Sequence, residues 1–163
     1  MNSTFRRKQP FNLAALAISI LVAVFALADL RAQQPSPVTL PMKVDSDLSG
    51  ISVELTSVQK TGDMLLIRFK YISTRETALD NIAREANQHV SDMYYVDSKN
   101  KKKYPIIKDT QGKPLSSNLQ DFGVAAGETK GGWAKFPAPP AEVTTISVFL
   151  PGAPPFENVP IAQ

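Results

Sequence analysis

Two hydrophobic patterns divide the chain. From Phe11 to Ala28 the apolar residues run on almost without interruption, rich in Ala, Leu, Ile and Val. Beyond residue 50 they alternate with polar ones. Ile51, Val53 and Leu55 are separated by Ser52, Glu54 and Thr56, a period of two that predicts a half-buried strand. Met64 to Ser73 repeats the pattern most clearly, with Leu65, Ile67, Phe69 and Tyr71 on one face and Arg68 and Lys70 on the other. Thr61-Gly62-Asp63 between these runs predicts a three-residue hairpin loop.

Further extended runs follow at Met93–Val96, Lys102–Lys108, Lys113–Ser117, Thr129–Phe136, Val143–Leu150 and Phe156–Ile161. In the fifth of these, Val143, Ile146, Val148 and Leu150 are the predicted core. Asp97-Ser98-Lys99-Asn100, Asp109-Thr110-Gln111-Gly112, Ala126-Gly127-Glu128 and two proline-rich stretches punctuate them, each with the chemistry of a turn. Upstream, Thr39 to Val44 predicts a short first strand. Pro41 within it suits a sheet edge, because proline donates no ladder hydrogen bond. Asp45 to Gly50 then reads as a turn. Only Ala78, Leu79, Ile82, Ala83 and Ala86 recur at spacings of three and four, where a single helical turn and a loop are both compatible.

Roughly seven strands with turns at short intervals predict an all-β fold, a β-sandwich or small barrel. Strands do not alternate with long helices, which disfavours a doubly wound α/β fold. Thirteen prolines and eight glycines among 163 residues agree with a turn-rich chain, and a hydrophobic content of 43% is enough for a packed core.

Residues 1–32 follow the plan of a bacterial export signal. Arg6, Arg7 and Lys8 precede the apolar run, and small residues at cleavage spacing follow it, at Ala26-Leu27-Ala28 and Leu30-Arg31-Ala32. The run is about 18 residues, slightly short of the roughly 20 that span a bilayer. It therefore reads as a cleaved signal peptide, with an uncleaved membrane anchor as the alternative. Both readings put the remainder outside the cytoplasm. Lys8-Gln9-Pro10 stands where a twin-arginine signal turns hydrophobic, which disfavours that route. Gln33-Gln34-Pro35-Ser36-Pro37 reads as an extended tether. The expected organisation is export segment 1–32, linker and first strand 33–50, and β-sandwich 51–163.

Charge and chemistry narrow the function classes. The formal charge of +3 belongs to the leader. Four of the 18 basic residues (Arg6, Arg7, Lys8, Arg31) and one of the 15 acidic ones (Asp29) lie there, so the rest carries fourteen of each. A nucleic-acid partner is not expected from that balance. The absence of cysteine excludes disulfides, thiolate zinc sites, thiol catalysis and a lipoprotein anchor. His89 is the single histidine and reads as a surface residue without catalytic partners. No nucleophile elbow, phosphate loop or zinc-protease helix occurs. Asp45, Asp47, Ser49 and Gly50 resemble the first half of a calcium loop, but Thr56 stands where the bidentate carboxylate belongs. A polar turn is the plainer reading. No cofactor and no metal is implied.

Two features are candidate partner contacts. Lys99, Lys101, Lys102 and Lys103 form the one charge cluster, on a predicted hairpin tip. Such a tip can meet an anionic surface, or can be a solvated turn that discourages edge pairing. Trp133 follows Gly131-Gly132. If Phe136 is core, Trp133 faces the other way and is available for contact, packing against the proline-rich stretch being the alternative.

Three stretches carry a family resemblance. They are Ser91-Asp92-Met93-Tyr94-Tyr95-Val96-Asp97 with the following Lys103-Tyr104-Pro105, Asp109-Thr110-Gln111-Gly112-Lys113-Pro114, and Gly127-Glu128-Thr129 with Trp133-Ala134-Lys135-Phe136-Pro137-Ala138-Pro139-Pro140. The last continues through Ile146-Ser147-Val148-Phe149-Leu150-Pro151 to Ile161. Together they resemble a group of exported bacterial immunoglobulin-like domains, some fused to outer-membrane-protein-A-like domains. The resemblance covers roughly Ile51 to Ile161 and implies a sandwich fold and an envelope location, with no catalytic residues. The expected function is a non-enzymatic binding or structural module of the envelope or secretome, with an unknown protein or envelope component as partner. A membrane-tethered periplasmic accessory subunit is the alternative and a hydrolase a distant third. Membrane contact is expected only through residues 11–28, if they are retained.

Overall fold

Leu55 and Phe69 face each other across the best-paired hairpin of the chain, and the alternation around them builds the first of two sheets. The computed structural model describes residues 39–118 and 122–162. The export segment 1–32 and the tether 33–37 lie outside the described residues. Eight strands run in the order β1 (Met42–Asp45), β2 (Ile51–Thr61), β3 (Met64–Ser73), β4 (Tyr94–Asp97), β5 (Lys102–Pro105), β6 (Thr129–Pro137), β7 (Thr145–Phe149) and β8 (Phe156–Pro160). They form two four-stranded antiparallel sheets, β1-β2-β3-β6 and β5-β4-β7-β8. The protein is an immunoglobulin-like β-sandwich. β3 lies beside β6 and β4 beside β7, while the chain crosses between the sheets from β3 to β4, from β5 to β6 and from β6 to β7. The adjacencies β2-β3-β6 and β4-β7-β8 reproduce those of strands A-B-E and C-F-G in that fold.

The place of strand D, beside β6, is taken by irregular chain. The expected strand at 113–117 makes only isolated bridges, Lys108 to Pro114 and Ser116 to Ala134. Pro114 lacks an N–H and interrupts the ladder. The segment still covers the edge of β6: the Ser117 N–H donates to the Trp133 carbonyl and the Lys135 N–H donates to the Leu115 carbonyl, both at 2.9 Å. An unpaired edge is thereby closed without a full strand.

The first hairpin differs from the expected three-residue loop. Thr61 pairs with Met64, so only Gly62 and Asp63 turn the chain. Gly62 has φ of 57°, the left-handed value a two-residue hairpin loop needs at its first position. β2 also carries a bulge. Leu55 pairs with Phe69 and Ser57 with Arg68, so Thr56 is an extra residue. The bulge shifts the side-chain phase by one, and the inward set becomes Ile51, Val53, Leu55 and then Val58, all buried. The C-terminus closes the β2 edge beyond the bulge, where β1 no longer reaches. Ala162 bridges Gln59 in parallel, its N–H donating to Val58 and its carbonyl accepting from Lys60, each at 2.9 Å.

The core lies between the sheets. Leu65, Ile67, Phe69, Ala134 and Phe136 meet Tyr95, Val148, Phe156 and Val159, each at most 1% exposed. Each such large apolar side chain contributes about 1.5–3 kcal/mol on burial. Val143, Ile146, Val148 and Leu150 are all buried as the alternation requires. β1 is an edge strand, with Pro41 immediately before it.

Candidate functional site

The two longest connections, β3 to β4 and β5 to β6, meet beside the sandwich. Leu79 and Val124 exchange both backbone hydrogen bonds (2.9 and 2.8 Å), and the Ile82 N–H donates to the Phe122 carbonyl at 3.0 Å. The first connection contains a single helical turn, α1 (Ile82–Glu85). Asn81 caps it, its Oδ1 accepting from the Arg84 N–H at 2.9 Å. Ile82 and Ala83 are buried, which leaves Arg84 and Glu85 exposed. The chain leaves α1 through Asn87, whose φ is 53°, and enters a 3-10 turn at Val90–Asp92. There the Asp92 carboxylate accepts from the His89 N–H at 2.7 Å. The Gln88 side-chain oxygen accepts from the Gly152 N–H at 3.0 Å, which pins this wall to the end of the second sheet.

The opposite wall is the turn after β5. Asp109 Oδ1 accepts from the N–H groups of Gln111 and Lys113, both at 2.9 Å. Lys108 precedes this turn and Lys113 closes it. Between the walls lies an open cleft of about 660 Å³. Arg84, His89, Lys108 and Lys113 line it, with the side-chain amides of Asn81, Asn87, Gln88 and Asn118 and the hydroxyls of Ser91, Ser116 and Ser117. No carboxylate is among the lining residues. Such a surface binds and orients polar or anionic groups.

The sequence-selected residues fall elsewhere, with one exception. His89 is exposed, as expected, but it also lines this cleft. Phe136 is fully buried and Trp133 is 37% exposed, so the parity argument holds. Trp133 lies on the outer face of the first sheet, opposite Arg68 on β3. Met64, 38% exposed, pairs with Pro137 further along the same two strands. The Lys135 ammonium lies 5.9 Å from the Trp133 ring centroid.

Lys101, Lys102 and Lys103 are exposed on the β4–β5 hairpin of the other sheet. Lys101 occupies the left-handed loop position (φ 53°). The Lys102 ammonium sits 4.8 Å from the Tyr104 ring, and that of Lys103 sits 3.6 Å from Tyr94, which stacks on Phe149 at 4.4 Å. Such pairings hold the ammonium groups over the strand aromatics. Trp133 and the lysines therefore lie on different sheets and do not form one site.

The calcium-like segment is a docked turn. The Ser46 hydroxyl and the Asp47 N–H donate to the Gly152 carbonyl, and the Leu48 N–H donates to Ser46 Oγ. Among the described residues no group of three or more His, Cys, Asp or Glu side chains is placed to hold a metal. No described helix is long and apolar enough to cross a membrane, and the run 11–28 lies outside the described residues.

Sequence reasoning missed Arg84, Lys108 and Lys113. They come from separate connections, one read as a polar interval and the other as a turn. No local pattern marks their convergence.

No family model matches the chain, and no curated protein matches it. Among solved structures the chain is similar to a secreted protein from Mycobacterium tuberculosis, at 8% identity over 80% of this chain and 100% of that one, with a TM-score of 0.42. A likeness that distant bears on neither function nor site.

Proposed function

We propose that the chain is an exported, non-enzymatic β-sandwich module that binds a component of the cell envelope or its surroundings. The cleft between the β3–β4 and β5–β6 connections carries this reading. It is a concave, donor-rich surface built on loops that a rigid sandwich positions, a common location for recognition sites. Export rests on residues 1–32, with their basic start, apolar run and small residues at cleavage spacing. The outer face with Trp133 and Met64, and the lysine hairpin, are secondary contact surfaces for a protein partner.

The binding half is tested by titrating isotope-labelled protein with soluble envelope glycans and following backbone amides. Shifts confined to residues 84–91 and 108–118 are expected, and a titration that moves none of them counts against the cleft. The export half is tested by the intact mass of the protein from fractionated cells. A species beginning at Asp29 or Gln33 in the soluble exported fraction is the expected result. A full-length mass in the membrane fraction supports the second reading, a tethered accessory subunit, which the apolar run 11–28 favours. A full-length mass in the cytoplasm overturns both.

A further inference from the structure

The cleft gathers cations without a counter-charge. Outside the leader the chain is balanced, fourteen basic against fourteen acidic residues, yet Arg84, Lys108 and Lys113 share one concave surface with His89 and no carboxylate. Of the carboxylates adjoining these residues along the chain, Asp92 accepts from the His89 N–H and Asp109 from those of Gln111 and Lys113, while Asp80 and Glu85 are not among the residues lining the cleft. Among the described residues the one ion pair is Lys70 with Glu54, on the outer face of the first sheet. Like charges brought together in a concave surface raise its potential and concentrate anions there.

The cations are also positioned. Arg84 rides on a turn capped by Asn81 and anchored by the buried Ile82; the Asp109 carboxylate holds the Lys113 N–H, and Lys108 bridges Pro114. An arginine grips a carboxylate or phosphate with two parallel hydrogen bonds, while lysines contribute point charges around it. Gln88 accepts from Gly152 through its oxygen, which leaves its NH2 group as a donor. A volume of about 660 Å³ falls within the roughly 300–1,000 Å³ of small-molecule sites and exceeds what a single ion needs.

We propose that this cleft binds an oxyanionic ligand bearing at least two carboxylate or phosphate groups, with Arg84 as the bidentate grip and Lys108 and Lys113 as flanking charges. The proposal rests on reading the chain as a binding module. It gives the ligand's chemistry, which the module reading leaves open.

The test uses the protein recovered from the exporting cell and three probes in calorimetry: tetragalacturonate, tripolyphosphate and the neutral chitotetraose. At least one anion binds saturably, and which one distinguishes carboxylate from phosphate ligands. Arg84→Gln and Lys113→Gln each weaken it by about tenfold, the loss of a charge-assisted contact, and added salt weakens it further. Lys43→Gln, exposed on β1 and outside the cleft, leaves it unchanged. These side chains are exposed, and an unchanged melting temperature shows that the variants fold. Anion binding that ignores Arg84 and Lys113, or that follows Lys43, overturns the proposal. Binding of chitotetraose alone overturns the oxyanion assignment and leaves the module reading intact. Binding of no probe, with no amide of the cleft moving in envelope extracts, overturns both.

Discussion

The Tyr71 hydroxyl on β3 donates to the Pro151 carbonyl at 2.7 Å, so a side chain of the first sheet holds the chain just beyond β7 in the second. Tyr95 on β4 does the reverse, donating to the carbonyl of Pro137 at the end of β6, also at 2.7 Å. Both rings are buried. Each hydroxyl gains a partner that it would otherwise lack in the core, and each ties one sheet to the other. Tyr71→Phe and Tyr95→Phe should each cost about 0.5–1.5 kcal/mol, plus the penalty of an orphaned carbonyl. Urea unfolding checks this. A midpoint unchanged in both variants would mean that the bonds contribute nothing net.

The same phenols make stability sensitive to alkali. Burial pushes the pKa of both upward from the ordinary 10.0, aided at Tyr95 by nearby Tyr104 and Asp97. The folded state therefore keeps these protons where the unfolded chain releases them. The stabilisation is complete below the unfolded value near 10 and declines as pH rises above it. Melting curves between about pH 9 and 11 should fall steeply, and the Tyr71→Phe/Tyr95→Phe double variant should flatten that fall. Parallel curves for the two proteins would assign the loss to other groups.

Gly132 is a packing glycine in β6. A Cβ there would lie 2.5 Å from Cε2 and 2.8 Å from Cζ of Phe69, and 3.2 Å from Ser117 Oγ. Phe69 is 1% exposed and sits among Tyr71 and Phe122 in edge-to-face contact, so its ring has little room to yield. Gly132→Ala should destabilise by about 1–3 kcal/mol through overpacking. Gly131 is exposed, with nothing nearer than the Phe69 carbonyl at 3.9 Å. Gly131→Ala serves as the tolerant comparison, and equal melting temperatures for the two variants would contradict the contact.

Asp97 organises the lysine hairpin from beneath. It is fully buried, and its carboxylate accepts from the Asn100 N–H at 3.1 Å and the Asn100 side-chain amide at 2.7 Å. Asp97→Ala leaves the Asn100 donors without that acceptor and should cost about 1–3 kcal/mol. It should also speed hydrogen exchange at residues 98–101 ahead of the rest of the domain. Uniform exchange across the domain would show that the carboxylate acts only globally.

Much of the fold was legible because alternation is a local consequence of facing a core. Leu65, Ile67, Phe69 and Tyr71 must point one way from a pleated strand, and they do. Parity likewise placed Trp133 opposite Phe136. The bulge at Thr56 was not legible, because strict alternation assigns Ser57 to the inner face and only the pairing partner reveals that Val58 takes that place. The segment 113–117 looked like a strand by composition, and Pro114 together with competition for the β6 edge reduced it to two bridges.

By itself, then, the sequence determined most of the strands and their inward faces, and the balanced charge of the chain beyond residue 32. Each follows from neighbours within a few positions. Tertiary structure alone decided that Arg84, Lys108 and Lys113 share a cleft and that Trp133 and the lysine hairpin do not share a surface. Those relationships depend on how the crossovers between the sheets fold back on one another. The constraint is carried by contacts such as Leu79 with Val124, which are distant in sequence and leave no periodic trace in it.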